Sequence, residues 1–187
     1  MAEINLSDEQ LADQVQQGKV TAFNELVGRY EQKILRYTRR LIQNHHDAED
    51  ITQDTFLKAF QNIKSFDLNA RWSPWLYRIA HNLSLNHLKR LSYLPLPFFD
   101  PDVLFPHPLA PNDQQTDLIN NQLKKDLEKS LNQLKPKYRE VIIMRYLEDM
   151  SYRTIADILK VPVGTISIRL KRALVELKKH YPSTNYE

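Results

Sequence analysis

Six of the ten prolines crowd into one stretch, from Pro95 through Pro97, Pro101, Pro106 and Pro108 to Pro111. Proline lacks a backbone N–H and its ring clashes with the preceding helical turn, so neither a helix nor an interior strand can run through such a segment. The chain must therefore fold separately on either side of it. Both flanks favour helix: only three glycines occur in 187 residues, and Leu, Ile, Lys, Gln and Glu are abundant. The expected fold is all-α, two small helical domains joined by an extended, Pro-rich acidic linker. From Tyr93 to Leu123 there is no Lys or Arg, but Asp100, Asp102, Asp113 and Asp117 are present. The same stretch carries Leu94, Leu96, Phe98, Phe99, Val103, Leu104 and Phe105. A purely solvated tether does not need these, so some are expected to dock on a surface of this chain or of a partner.

On the N-terminal side, Ser7 and Gln10 have capping-box spacing, and Gly18 is placed to end a first short helix. Phe23, Leu26, Val27, Tyr30, Ile34, Tyr37 and Leu41 recur at three and four, predicting a long helix over about 21–43. Its other face carries Arg29, Lys33, Arg36, Arg39 and Arg40, read as a solvated surface or a partner face. Asp47 can cap a third helix to about Ile63, with His45 and His46 in the loop before it. Ser73-Pro74 is a strong start for a fourth, burying Leu76, Ile79, Ala80, Leu83 and Leu88.

Beyond the prolines, Ile119, Leu123, Leu127, Leu131 and Leu134 form a helical stripe from about Thr116, and Pro136 opens another helix to about Tyr146. The segment from Ser151 to Lys179 carries the clearest chemistry. Ser151 caps a helix of about two turns with Ile155, Ala156 and Leu159 inward. Lys160-Val161-Pro162 breaks it. A second helix follows, with Ile166, Leu170, Leu174 and Leu177 as its apolar stripe. This is a helix-turn-helix, whose second helix enters the major groove of duplex DNA. Over the 20 residues 160–179, Lys160, Arg169, Lys171, Arg172, Lys178 and Lys179 oppose the single acid Glu176, the charge pattern of a phosphate-facing surface.

Two weaker signals lie in the first domain. Phe66, Trp72, Trp75 and Tyr77 cluster with Asn69, Arg71, Arg78 and Asn82 around a helix start. Aromatics with Arg and Asn suit stacking on unpaired bases, and core packing is the equal alternative. Asp47, Asp50 and Asp54, with Gln53 beside them, form a polar stripe on one helix. No histidine shares its spacing, which favours a solvated or partner-binding face over a metal site. No cysteine is present, excluding disulfides and thiolate zinc sites. No stretch reads as a signal peptide or a membrane span, and the expected location is the cytoplasm, without stable membrane insertion.

These segments resemble one family. Asp47-Ala48-Glu49-Asp50-Ile51-Thr52-Gln53-Asp54-Thr55-Phe56 and Trp75-Leu76-Tyr77-Arg78-Ile79-Ala80-His81-Asn82 resemble conserved region two of the extracytoplasmic-function (ECF) sigma factors of bacterial RNA polymerase. Leu134 to Arg145 and Val161 to Ile166 resemble region four of that family. The resemblance implies region two in 1–92, a linker in 93–115 and region four in 116–187. It implies a promoter-specificity factor, not an enzyme, with no cofactor. Its implied partners are core RNA polymerase, promoter DNA and an anti-sigma factor. Asp50, Gln53 and Asp54 take the polymerase-docking role. Phe66, Asn69, Arg71, Trp72 and Asn82 fall where the minus-ten element is read as melted single strand. Arg145, Tyr152, Arg153, Pro162, Gly164, Thr165, Ser167, Ile168, Lys171 and Arg172 match contacts to the minus-thirty-five duplex. The departures are Ser167 and Ile168, where many relatives carry a basic and then a small residue, and the Pro/Phe-rich linker. An operator-binding repressor leaves the first domain and linker idle, a hydrolase lacks a second ligand cluster, and a pure interaction scaffold is the third option, which the absence of any DNA effect would favour.

Overall fold

The computed structural model describes residues 6–42, 44–91, 126–127 and 129–180, and no strand occurs among them. The linker at 93–115, the helix start at Thr116, Ile119, Leu123 and the tail at 182–187 lie outside the described residues. Two compact units result, the first built on the N-terminal helices and the second on those after residue 126.

Four helices make the first unit: α1 (Asp8–Gln16), α2 (Thr21–Leu41), α3 (His45–Gln61) and α4 (Trp72–Leu91). The capping box forms as expected. Gln10 N donates to Ser7 Oγ at 3.2 Å, and Ser7 N donates to Gln10 Oε1 at 2.8 Å. After α1, Gly18 adopts a φ of 98°, a left-handed turn that a side chain would strain. α1 then returns along α2. Arg29 secures it by donating to Asp8 Oδ1 at 2.8 Å and to the Leu6 carbonyl at 2.9 Å, while Tyr30 Oη donates to Asp8 Oδ2 at 2.6 Å.

The predicted stripe of α2 is the core: Phe23, Leu26, Tyr30, Ile34, Tyr37 and Leu41 are buried, while Val27 is half-buried. Each fully buried large side chain contributes roughly 1.5–3 kcal/mol. α3 packs on α2 and α4. At the α2–α3 contact, Thr38 Oγ1 and Thr52 Oγ1 share a hydrogen bond of 3.0 Å, and each hydroxyl also donates to the Ala48 carbonyl or competes for it. Buried hydroxyls are thus satisfied where they would otherwise cost stability.

Three expectations shift here. α3 is capped by Asn44, whose Oδ1 accepts from His46 N and Asp47 N, so both histidines sit in its first turn rather than in a preceding loop. The earlier asparagine wins because it satisfies two orphan amides from one oxygen. α4 begins at Trp72. It buries Leu76, Tyr77, Ala80, His81 and Ser84, leaving Ile79, Leu83 and Leu88 half-buried.

In the second unit, helical residues at 126–127 and 129–132 precede α5 (Pro136–Ile142), a π-helical turn (Ile143–Leu147), α6 (Tyr152–Leu159) and α7 (Val163–His180). The single proton of Ser130 Oγ is shared between the Asp126 carbonyl at 2.7 Å and the His180 carbonyl at 3.1 Å, tying the helical residues around 130 to the end of α7. Pro136 occupies the first turn of α5, where its missing N–H costs nothing. α5 packs on α7. The core runs through Leu131, Leu134, Val141 to Met144, Ile155, Ile166, Leu170 and Ala173. The α7 stripe therefore turns at Ala173. Leu174 is 42% exposed and Leu177 half-buried, so neither joins the core as the spacing of leucines suggests.

Candidate nucleic-acid interfaces

In the first unit, the end of α3 and one face of α4 enclose a groove of about 290 Å³. Lys58, Asn62 and Ser65 line one side, and Trp75, Ile79, Asn82, Leu83 and Asn86 the other. Ile79 and Leu83, both half-buried, form the apolar part of its lining. Around them stand three carboxamides, a hydroxyl and an ammonium. Carboxamides both donate and accept, so they can read the edge of a nucleobase, and the ammonium suits a phosphate.

Trp75 is backed by packed rings. Its centroid is 5.0 Å from that of Trp72 and 5.2 Å from that of Phe66. Trp72 is fully buried and Phe66 is 4% exposed. These two rings brace the groove; Trp75, half-buried, is the ring that lines it. Asn82 is exposed at the groove. Asn69 and Arg71 lie on the exposed loop before α4, where Asp67 Oδ1 accepts from Asn69 N and Nδ2 at 2.9 and 3.1 Å. Lys58, Asn62, Ser65 and Asn86 were not singled out from the sequence, because they meet only across two helices.

Asp50, Gln53 and Asp54 are all exposed on α3. Leu57, 54% exposed, continues their face by one turn and adds an exposed apolar side chain to it. Asp47 leaves that stripe. Its Oδ2 lies 3.2 Å from His87 Nε2 of α4, a pairing that the sequence reading, with only His45 and His46 near these acids, did not anticipate. No group of three or more potential metal ligands gathers among the described residues.

The helix-turn-helix of the second unit closes on Lys160, held in the left-handed region at φ 55°, with its N–H donating to the Ala156 carbonyl. Ser151 caps α6 by accepting from Thr154 N at 3.1 Å. On α7, Gly164, Ile168, Lys171 and Arg172 are exposed, and Thr165 and Ser167 half-buried. Ile168 is 54% exposed. Pro162 is exposed in the turn, as are Tyr152 and Arg153 at the start of α6. Arg145 is anchored locally. It donates to the Met150 carbonyl and Asp149 Oδ1, each at 3.1 Å, and its guanidinium lies 5.9 Å from the Tyr152 ring centre.

One cation departs from the expected basic face. Arg169 turns inward, its Nη1 3.4 Å from Glu140 Oε1 of α5. Burial holds the Glu140 carboxyl well above its usual range, at about 7, with the Arg169 charge working against that shift. Arg169 follows Ile166 by three and precedes Ala173 by four, which places it against the core side of the helix.

A four-helix unit with a carboxamide-lined groove and a second unit ending in a basic helix-turn-helix define a sigma-type transcription initiation factor. The sigma-70 region 2 family model matches residues 26–93, and the sigma-70 region 4 model matches residues 124–177. The chain is 34% identical over 174 residues to the ECF RNA polymerase sigma factor SigW of Bacillus subtilis, covering 89% of this chain and 92% of the relative. It is 32% identical over 182 residues to the ECF RNA polymerase sigma-E factor of Haemophilus influenzae, covering 92% of this chain and 94% of that one. The fold is shared with the sigma factor RpoE of Bartonella quintana, solved in complex with the anti-sigma factor NepR. The TM-score is 0.68 at 24% identity, covering 87% of this chain and 98% of that one. The chain belongs to the ECF sigma factors, the promoter-specificity subunits of bacterial RNA polymerase.

Proposed function

We propose that this factor divides promoter recognition between its units, residues 1–92 acting as region two, 93–115 as the linker and 116–187 as region four. Asp50, Gln53 and Asp54, with Leu57 beside them, dock on core polymerase. Asn82, with Asn69, Arg71 and the groove residues, takes the melted minus-ten strand, while Phe66 and Trp72 support Trp75 from behind. Arg145, Tyr152, Arg153, Pro162, Gly164, Thr165, Ser167, Ile168, Lys171 and Arg172 hold the minus-thirty-five duplex.

The observation carrying this reading is the groove, which sets an aromatic wall, three carboxamides and a lysine around one space. Unpairing a base costs a few kcal/mol, and a fitted pocket with a stacking ring returns about 1–3 kcal/mol per base. Opening the duplex therefore needs no nucleotide hydrolysis by this chain, which works as a non-catalytic subunit. No helix among the described residues is long and apolar enough to cross a membrane. The site of action is the cytoplasm, with the polymerase. An anti-sigma protein is the expected regulator, since relatives of this fold were solved bound to one.

The test is in vitro transcription by core polymerase over a genomic library, with and without this chain. New start sites that depend on it support the reading; an unchanged transcript set overturns it.

A further inference from the structure

The region 2 family match begins at residue 26, so α1 lies outside it. Yet α1 fastens the segment that builds the groove. Gln16 Nε2 donates both amide hydrogens across the fold, one to the Ile63 carbonyl at 2.8 Å and one to the Phe66 carbonyl at 2.9 Å. Seven residues earlier, Glu9 Oε1 accepts from Trp72 N at 3.0 Å.

These three backbone groups bracket the connection from α3 to α4. Ile63 and Phe66 bound the short 3₁₀ turn (Ile63–Ser65) that carries Ser65, a groove residue, and follows Asn62, another. The buried side chains of Ile63 and Phe66 hold the turn to the core. Its other hydrogen bonds are local: Ser65 Oγ donates to the Asn62 carbonyl at 2.7 Å, Asn62 Nδ2 to the Lys58 carbonyl at 2.8 Å, and Phe66 N to the Ile63 carbonyl at 3.0 Å. The Gln16 amide adds the long-range hydrogen bonds to its carbonyls. Phe66 then passes the constraint to the far wall through its ring contact with Trp75. Glu9 satisfies the first amide of α4, which would otherwise lack a partner, and favours that helix terminus by its charge. The next groove residue, Trp75, stands one turn further along.

We propose that Gln16 and Glu9 are positioning residues for minus-ten reading. They set the spacing between the Asn62–Ser65 and Trp75–Asn82 walls, and so decide how sharply the groove discriminates among unpaired bases. This rests on the groove being the single-strand site. A pocket loosened by a fraction of an ångström still binds, but it loses discrimination before it loses affinity for backbone phosphate.

The experiment uses the full chain with core polymerase and a random-sequence single-stranded DNA pool, reading base enrichment, alongside thermal unfolding of each variant. Gln16→Glu removes both donors and sets a carboxylate against two carbonyl oxygens. Its best-enriched base position should fall about tenfold in discrimination, the equivalent of one buried hydrogen bond. Glu9→Ala should do the same, and Glu9→Gln, which keeps an acceptor, should restore it. Asp8→Asn is the control: it weakens the ties of α1 to Arg29 and Tyr30 without touching the groove segment. It should lower thermal stability and leave the enrichment profile intact. If Asp8→Asn flattens the profile as much as Gln16→Glu at equal loss of stability, or if neither does, the positioning role is wrong. If the native chain itself enriches no single-stranded sequence, the groove assignment falls instead.

Discussion

Arg169 Nη1 donates to Glu140 Oε1 across 3.4 Å, joining the recognition helix to a carboxyl that is almost wholly buried in α5. Glu140 starts the run Glu140-Val141-Ile142-Ile143-Met144, every residue of which is buried. Its burial raises the carboxyl from 4.5 to about 7. The folded chain therefore holds this proton more tightly than the unfolded chain does. Its contribution is fully present below 4.5 and is lost as pH rises through about 7. Amide-exchange protection of α7, corrected for the intrinsic rate, should fall between pH 5 and pH 7.5, and Glu140→Gln should flatten that slope. An identical slope in the variant would remove Glu140 from the account.

The first unit should respond with the opposite sign. His81 is buried beneath Tyr37, sharing a 3.0 Å hydrogen bond through Nδ1, and burial lowers its imidazole from 6.5 to about 4. The unfolded chain binds this proton first, so stability is lost as pH falls below about 6.5 towards 4. Protection of α2 and α4 should drop on acidification over that window. In an NMR titration the His81 ring resonances should stay at their neutral positions at pH 5.5. A midpoint near that of a free histidine would contradict the structure.

Lys160 holds the left-handed position that closes the helix-turn-helix. An L-residue there costs roughly 1–2 kcal/mol, partly offset in a glycine replacement by the larger entropy of the unfolded chain. Lys160→Gly should stabilise the unit by about 0.5–1 kcal/mol, and Lys160→Ala should not. Denaturant midpoints decide between these outcomes.

The two arginines of α7 should separate cleanly in DNA binding. Arg172 is exposed beside Lys171, while Arg169 is engaged by Glu140. Arg172→Ala should make the salt dependence of duplex binding shallower by about one charge. Arg169→Ala should leave that slope unchanged and lower stability by about 1–3 kcal/mol, because Glu140 loses a buried partner. Equal slopes for both variants would mean the outward and inward assignments are mistaken.

Features that depend on neighbours along the chain were readable in advance. The Ser7–Gln10 box, the Gly18 turn, the α2 stripe and the break at Lys160 all follow from spacing and local backbone preference. What depends on a second element was not readable. Phe66 and Trp72 suit base stacking as well as packing, and only the position of α1 and α2 around them settles that they are buried. The aromatic residue lining the groove is Trp75, and Lys58, Asn62 and Ser65 line it too. Arg169 was legible in part, since its offsets from Ile166 and Ala173 place it beside the core stripe; counting charge alone hid this. Leu174 misled because leucine there continues a regular spacing, whereas the smaller Ala173 is what the helix buries.

Asn82 links the groove to the claim that strand capture and duplex binding are separate acts. The most direct test is permanganate reactivity of unpaired thymines, read beside an upstream footprint, on a promoter recovered with core polymerase. Asn82→Ala should suppress thymine reactivity about tenfold or more while the upstream footprint persists, since one lost base contact costs about 1–3 kcal/mol. Parallel loss of footprint and reactivity would contradict the division of labour between the two units.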